Sequence, residues 1–342
     1  MSFLSLSGKD KAREEEVSII MKTILVTGAA GFVASYTSQL LLQKGIRVVG
    51  LDNMNDYYDV RMKEYRLKGL KSWPNFLFYK CDIENRVALG RIFKRHRFNA
   101  VLNFAARANV PYSMENPYVY MTTNANGTLN LLEQCREQKI KKFVLASTSS
   151  LYAGQKMPFH ERLPSNTPIS PYAASKKAAE IMAYPYHYLY DIDVTIVRYF
   201  TVYGPAGRPD MSVFRFIKWI DEGKPLRLFG DGSQSRDFTY VEDIAAGSVK
   251  ALKRVGYKII NLGSNDPYDI NEMIALIEKN LGKKARIRHS DLHKINMKAT
   301  WADISEAKKT LKWFPKVSLE QGIKRTVDWY LDNKSWLSKV KV

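Results

Sequence analysis

The chain reads as a doubly wound α/β protein with a parallel sheet between helices, followed by a smaller mixed α/β lobe. Three observations predict this. Short, continuously apolar segments alternate with helix-length amphipathic ones from Thr23 to Val197, as in a parallel sheet covered on both faces. A glycine-containing turn, Gly28-Ala29-Ala30-Gly31, lies between the first such segment and the helix after it. After about Gly204 the rhythm loosens, because Pro205, Pro209, Gly223, Pro225, Gly230 and Gly232 divide the chain into short pieces.

In order, the expected strands are Thr23–Val26, Arg47–Leu51, Phe76–Lys80, Ala100–Phe104, Phe143–Ala146 and Val194–Val197. The helices between them are Val33–Lys44, Glu84–Arg95, Tyr118–Glu137 and Pro171–Tyr190. In the second half, helical periodicity returns near Asp243–Arg254, Asn271–Leu281 and Leu319–Leu331. Residues 1–20 read as a flexible extension, 21–200 as the doubly wound domain, and 201–342 as mainly the smaller lobe, with segments returning to the first.

Composition narrows the function classes. No apolar run approaches the ~20 residues that cross a bilayer, and Lys9–Glu16 is dense in charge where a secretory signal needs an apolar stretch. A cytoplasmic protein without integral membrane association is expected. Two cysteines, Cys81 and Cys135, make no disulfide framework and read as packing residues. The net charge of +19 is scattered through mixed sequence as isolated pairs such as Lys141-Lys142 and Lys283-Lys284. That favours a lysine-rich surface over a nucleic-acid partner. His289 and His293 stand four apart, but no glutamate follows the first, so no metal site is expected.

The glycine turn carries the first chemistry. Gly28 permits a tight turn, and Gly31 lets amides approach a pyrophosphate at a helix N-terminus, with Phe32 and Val33 opening that helix. Asp52 ends the second strand, where a carboxylate binds a ribose diol and repels a 2′-phosphate, which selects NAD over NADP. Asn53 follows it, and Asp82-Ile83, after the third strand, are placed to reach the adenine. Ala34 stands where a third glycine is usual.

Tyr172 and Lys176 open the helix after Pro171, on one face at spacing four. A neighbouring ammonium would lower the phenol towards working pH and make it a proton acceptor for a sugar hydroxyl. The strand Phe143–Ala146 runs into Ser147-Thr148-Ser149-Ser150, four hydroxyls at the carboxyl edge of the sheet that could bind the same hydroxyl.

At these residues the chain resembles the extended short-chain dehydrogenase/reductase family of NAD-dependent epimerases and dehydratases, from Met21 to Tyr330. It looks most like the UDP-glucuronate 4-epimerases, through Asp52-Asn53-Met54-Asn55-Asp56-Tyr57-Tyr58-Asp59, Arg198–Pro205 and Arg208-Pro209-Asp210-Met211. The resemblance implies a Rossmann domain that retains NAD, contacted among others by Ala105. It implies Thr148 as hydroxyl partner, Tyr172 as acid/base and Lys176 on the nicotinamide ribose. Arg236 would grip the UDP-sugar diphosphate, with Ser149, Ser150, Thr201 and Arg208 near the sugar or its phosphates. A homodimer through Tyr118–Glu137 and Pro171–Tyr190 is also implied. The chain departs from the usual pattern after the fourth strand, where Pro111 replaces an arginine and Arg107 appears nearby, and at Leu151-Tyr152-Ala153.

The expected reaction is oxidation at carbon 4, rotation of the 4-keto sugar and reduction on its other face. A uronic acid oxidised there becomes a β-keto acid prone to losing carbon dioxide; Thr148, Ser149 and Thr201 are candidates to hold its carboxylate out of alignment. Ser149-Ser150 carry no acid, which disfavours 4,6-dehydratase and uronate decarboxylase chemistry. UDP-glucose/UDP-galactose or N-acetylhexosamine 4-epimerisation is the alternative substrate reading. A catalytically silent NAD-binding regulator is the non-enzyme one.

Overall fold

The computed structural model describes residues 22–291 and 297–342; the expected extension at 1–20 and His293 lie outside them. Seven strands form one parallel sheet in the order β10-β6-β5-β4-β1-β2-β3. They are β1 (Thr23–Thr27), β2 (Arg47–Asp52), β3 (Phe76–Lys80), β4 (Ala100–Asn103), β5 (Lys142–Thr148), β6 (Asp193–Tyr199) and β10 (Tyr257–Leu262). Six were expected, each to within two residues at either end. The seventh, β10, comes from the second half of the chain and pairs with β6 from Tyr257↔Val194 to Leu262↔Tyr199.

Alternate residues of each strand face opposite layers, and both layers are apolar. Ile24, Val26, Val48, Leu102, Val144, Val197 and Ile260 pack to one side with Ala34 and Leu41 of α1 (Phe32–Gln43). Leu25, Val49, Val101, Phe143, Leu145 and Ile196 pack to the other, with Leu131, Leu132, Ala179 and Ala183. Strand order reverses between β1 and β4, and the carboxyl ends there open a crevice, the place where such sheets bind ligands.

Three further helices follow in the first half of the chain: α2 (Val60–Lys71), α3 (Arg86–Arg95) and α4 (Val110–Glu115). The helix expected over Tyr118–Glu137 is broken. A short α5 (Tyr118–Tyr120) passes into a π-helical turn, Met121–Asn126, before α6 (Gly127–Glu137) resumes. One extra residue per turn reorients the inner face, and there Asn124 is 1 % exposed with its amide fully used. The next helix, α7 (Pro171–Tyr190), matches its expectation, capped by the Ser170 hydroxyl on the Ala173 amide with Pro171 in its first turn.

The smaller lobe contains β7 (Thr201–Tyr203), α8 (Ser212–Asp221), β8 (Pro225–Phe229), β9 (Ser235–Tyr240) and α9 (Val241–Lys250). Beyond β10 follow β11 (Pro267–Asp269), α10 (Ile270–Leu281), β12 (Arg286–Ser290), α11 (Leu319–Asp332) and α12 (Lys334–Leu337). Strands β11-β9-β7 form one small sheet and β12-β8 another. Phe214, Ile217, Ile274, Ile277, Ile323 and Val327 form this lobe's core. Helix α9 packs on α1, so the lobe also covers the large sheet.

Candidate active site

A cavity of about 280 Å³ fills the crevice at the carboxyl ends of β1, β2, β4, β5 and β6. On its wall stand Gly28, Gly31, Phe32, Val33, Asp52, Asn53, Asp82, Ile83, Ala105, Thr148, Tyr172, Lys176 and Arg208, thirteen residues expected from sequence. Cys81, read there as a packing residue, also lines it, while Cys135 is fully buried in the core.

The turn after β1 has the form a nucleotide requires. Gly28 has φ +67°, and a β-carbon on it would come within 2.9 Å of the Ala105 amide nitrogen. Only glycine combines that backbone with so close an approach of the loop after β4. No side chain caps α1 at Gly31, which leaves its N-terminal dipole directed at the cavity. Asp52 is held by the amides of Ala30 (3.2 Å) and Met54 (2.8 Å), and Asn53 donates to Asp82 at 2.7 Å. Thr27 ties the ends of β1 and β4 by donating to Asn103 (2.7 Å) and accepting from the Ala105 amide (3.1 Å). A bare helix N-terminus, a glycine cradle and a fixed carboxylate fit a dinucleotide with an unsubstituted ribose.

Helix α2 was missed by the sequence reading, and it brings two buried cations to the site. Lys63 is 3.6 Å from Asp52 and donates to Asn55 at 3.2 Å. Arg66 lies behind the glycine turn. Its guanidinium donates to the carbonyls of Ala30 (3.2 Å), Ala206 (2.9 Å) and Gly207 (3.0 Å) and to the Tyr58 hydroxyl (2.9 Å). One side chain thereby joins the turn after β1 to the segment that leads into Arg208. The N-cap signal was present, since Asp59 accepts from the Arg61 amide. However, Lys63 and Arg66 occupy inward positions and spoil the apolar period.

At the opposite wall, Tyr172 is partly buried and edge-on to Tyr120, with ring centroids 6.0 Å apart. Burial pushes its phenol above the usual tyrosine range, while a hydrogen bond with Thr148 and the charge of Arg208 draw it down. The net lowering expected from Lys176 is not found: burial outweighs both opposing effects, and the charge that draws the phenol down is that of Arg208. Lys176 is 4 % exposed, and burial pushes its ammonium down to about 8 despite the support of Glu180 one helical turn on. Glu180 is itself anchored by Arg198 (2.6 and 2.9 Å) and accepts from Ser147 at 2.6 Å. This pair, 1–2 % exposed, fixes the register of α7 against β5 and β6. Asn124 of the π-helical turn binds the amide (2.8 Å) and carbonyl (3.0 Å) of Arg107 and the Ser175 hydroxyl (2.9 Å). It thus joins the loop after β4 to the same helix.

Arg208 makes a bidentate pair with Asp210 (2.6 and 3.0 Å) and donates to the Ala108 carbonyl at 2.7 Å. Four expected residues are off this wall. Ser149 is buried, and Ser150 turns back on the Thr148 hydroxyl at 3.1 Å within the turn that follows β5. Thr201 starts β7 and faces a small adjoining cleft bordered by Phe32, Arg208 and Phe214. Arg236, on β9, donates to its neighbouring carbonyl on Ser235 at 2.7 Å. His289 lies in β12 against the Gly230 carbonyl (2.8 Å), and among the described residues no three His, Cys, Asp or Glu gather as metal ligands.

Comparison with known proteins agrees with this geometry. Residues 24–263 match the model of the NAD dependent epimerase/dehydratase family. A UDP-glucuronate 4-epimerase of Thermodesulfobacterium geofontis is 55% identical over 319 residues, 93% of this chain and 99% of the relative. Among solved structures, UDP-glucuronic acid 4-epimerase from Bacillus cereus, in complex with UDP-glucuronic acid and NAD, superposes with TM-score 0.86. It is 37% identical over 91% of this chain and 99% of that one. UDP-glucose 4-epimerase from Thermotoga maritima, with UDP-glucose, gives 0.83 at 31% identity, covering 91% and 99%. With more than half its length matched and its crevice built as the cofactor demands, the chain belongs to the NAD dependent epimerase/dehydratase family.

Proposed function

We propose that the chain interconverts UDP-glucuronate and UDP-galacturonate by NAD-dependent epimerisation at carbon 4. One observation carries the chemistry: Thr148, Tyr172 and Lys176 line the same cavity as the glycine turn and Asp52, and Thr148 is hydrogen-bonded to Tyr172. The substrate is supported by the 55% identity, over nearly the whole of both chains, to a relative of that name.

In this reading Asp52 takes the adenosine ribose, the Gly28–Gly31 turn the diphosphate, Asp82 and Ile83 the adenine side, and Lys176 the nicotinamide ribose. When bound there, NAD would supply the acceptor and donor of the carbon-4 hydride and a positive charge that favours the phenolate. Thr148 hydrogen-bonds the 4-hydroxyl, and Tyr172 removes its proton, then restores one to the 4-keto oxygen. Arg208, held flat by Asp210, orients the sugar or its phosphates. Thr201 reaches the substrate from the adjoining cleft, while Ser149 and Ser150 support the hydroxyl turn. Arg236 turns from its carbonyl to the diphosphate.

The chain is further proposed to act as a homodimer. Ile181, Tyr184 and Tyr188 of α7 are 61%, 50% and 74% exposed, with Tyr118 at 80% and Met121 at 44% on the neighbouring helix. A second copy would cover this apolar strip; sedimentation equilibrium at a single-chain mass would exclude it. Among the described residues no helix is long and apolar enough to cross a membrane.

The test of function is incubation with UDP-glucuronate and catalytic NAD, followed by proton NMR. Approach to one equilibrium mixture from either sugar nucleotide, lost in Tyr172→Phe, is expected. Conversion of UDP-glucose alone would move the assignment to the neutral sugar.

A further inference from the structure

Four cations border the cavity, and three have carboxylates. Lys63 faces Asp52, Arg208 pairs with Asp210, and Lys176 has Glu180 beside it. Arg107 is the exception. Among the described residues its guanidinium makes no ion pair or hydrogen bond, and its Nε is buried without a partner. It stands 5.7 Å from the centroid of Tyr57, and Arg208 stands 5.7 Å from that same ring. A ring face satisfies a guanidinium's flat side but leaves its in-plane N–H donors unused.

This placement is also unfavourable on charge grounds. Arg107 helps depress the Lys63 ammonium, so the two cations act on each other. Retreat of the backbone is prevented because Asn124 binds both its amide and its carbonyl. A fixed guanidinium with free donors, facing a cavity and repelled by its neighbours, is relieved by an anion from outside the chain.

We propose that Arg107 is an oxyanion-binding residue that takes a phosphoryl oxygen of a nucleotide diphosphate in the cavity. The inference rests on the nucleotide reading above. Cofactor and sugar nucleotide both supply the chemistry, and the test separates them.

Arg107→Gln and Arg107→Lys would be prepared, with thermal unfolding as a control on folding. Dissociation constants for NAD, for UDP and for UDP-glucuronate would be measured by calorimetry at low and high ionic strength. UDP carries the diphosphate without the sugar carboxylate. The glutamine variant is expected to lose about tenfold to a hundredfold in affinity for NAD or for UDP, with a shallower salt dependence. The lysine variant, which keeps the charge, should recover part of it. Loss confined to NAD assigns the cofactor's diphosphate, and loss confined to UDP the substrate's. Should Arg107→Gln fail to fold, the same loss, smaller, is required of Arg107→Lys. Unchanged binding of both would overturn the proposal, as would a loss seen only with UDP-glucuronate, which would assign the carboxylate. If the unaltered protein binds neither NAD nor UDP, the nucleotide reading itself is refuted.

Discussion

Lys176, the residue proposed to hold the nicotinamide ribose, sits where burial opposes its charge. Its ammonium is buried, and its pKa falls from the ordinary 10.5 to about 8. At ~1.4 kcal/mol per unit, keeping it charged in the fold costs roughly 3 kcal/mol. The sign follows from proton binding. Between pH 8 and 10.5 the unfolded chain holds a proton the folded one has released, so stability rises with pH across that window and the cost is fully present below it. Lys176→Met removes the cost while filling similar volume. At pH 7 the variant, stripped of cofactor, should be about 1–3 kcal/mol more stable than the parent, and the advantage should shrink to near zero by pH 10.5. Urea unfolding of both proteins at pH 7, 9 and 10.5 measures it. Epimerisation should be lost together with the proposed ribose contact. A variant less stable at pH 7, or an advantage that does not decline with pH, would refute the reasoning.

Other consequences can be checked alongside. Glu180→Gln leaves the Arg198 guanidinium buried without its counter-ion and should cost about 3–5 kcal/mol in urea unfolding. It should also move the Lys176 titration to lower pH in the rate profile, because Glu180 supports that ammonium. Gly28→Ala strains a left-handed backbone and drives a methyl at the Ala105 amide; a stability loss of about 1–3 kcal/mol and at least tenfold weaker NAD binding by fluorescence titration are expected. Thr201→Ala should raise the decarboxylated fraction of product on NMR if its hydroxyl helps hold the uronate; an unchanged fraction would assign that task elsewhere.

The sheet was legible in sequence because strands buried on both faces are continuous apolar runs, a form that β1, β2, β4, β5 and β6 largely have and that the half-buried edge strand β3 shares in its Phe76–Tyr79 run. Strand β10 carries the same signal in Ile259-Ile260 but sits inside a segment read as part of the smaller lobe, where no local feature announces its pairing with β6. Helix α2 was hidden because two of its inward positions are Lys63 and Arg66, whose burial is justified by partners outside the helix, from Asp52 and Asn55 to carbonyls as far off as Gly207. The π-helical turn was illegible for a related reason. Its extra residue is secured by Asn124, whose partners are 17 and 51 residues away in the chain. For the site, positions at strand ends such as Asp52 and Asp82 were read from spacing, and Ala105, Thr201 and Arg236 from the family resemblance. What neither could give was side-chain direction: Ser150 folds onto Thr148, and Arg236 onto its own strand.

The four contacts of Arg66 bear on how such enzymes can be re-engineered. Ala206 and Gly207 belong to the segment that carries Arg208, yet they share a guanidinium with Ala30 of the cofactor turn. A loop transplanted from a relative with another sugar preference would therefore be felt first as altered NAD retention. The two specificities are not modular, and a chimera that respects them must carry Arg66 and both carbonyls as one inherited block.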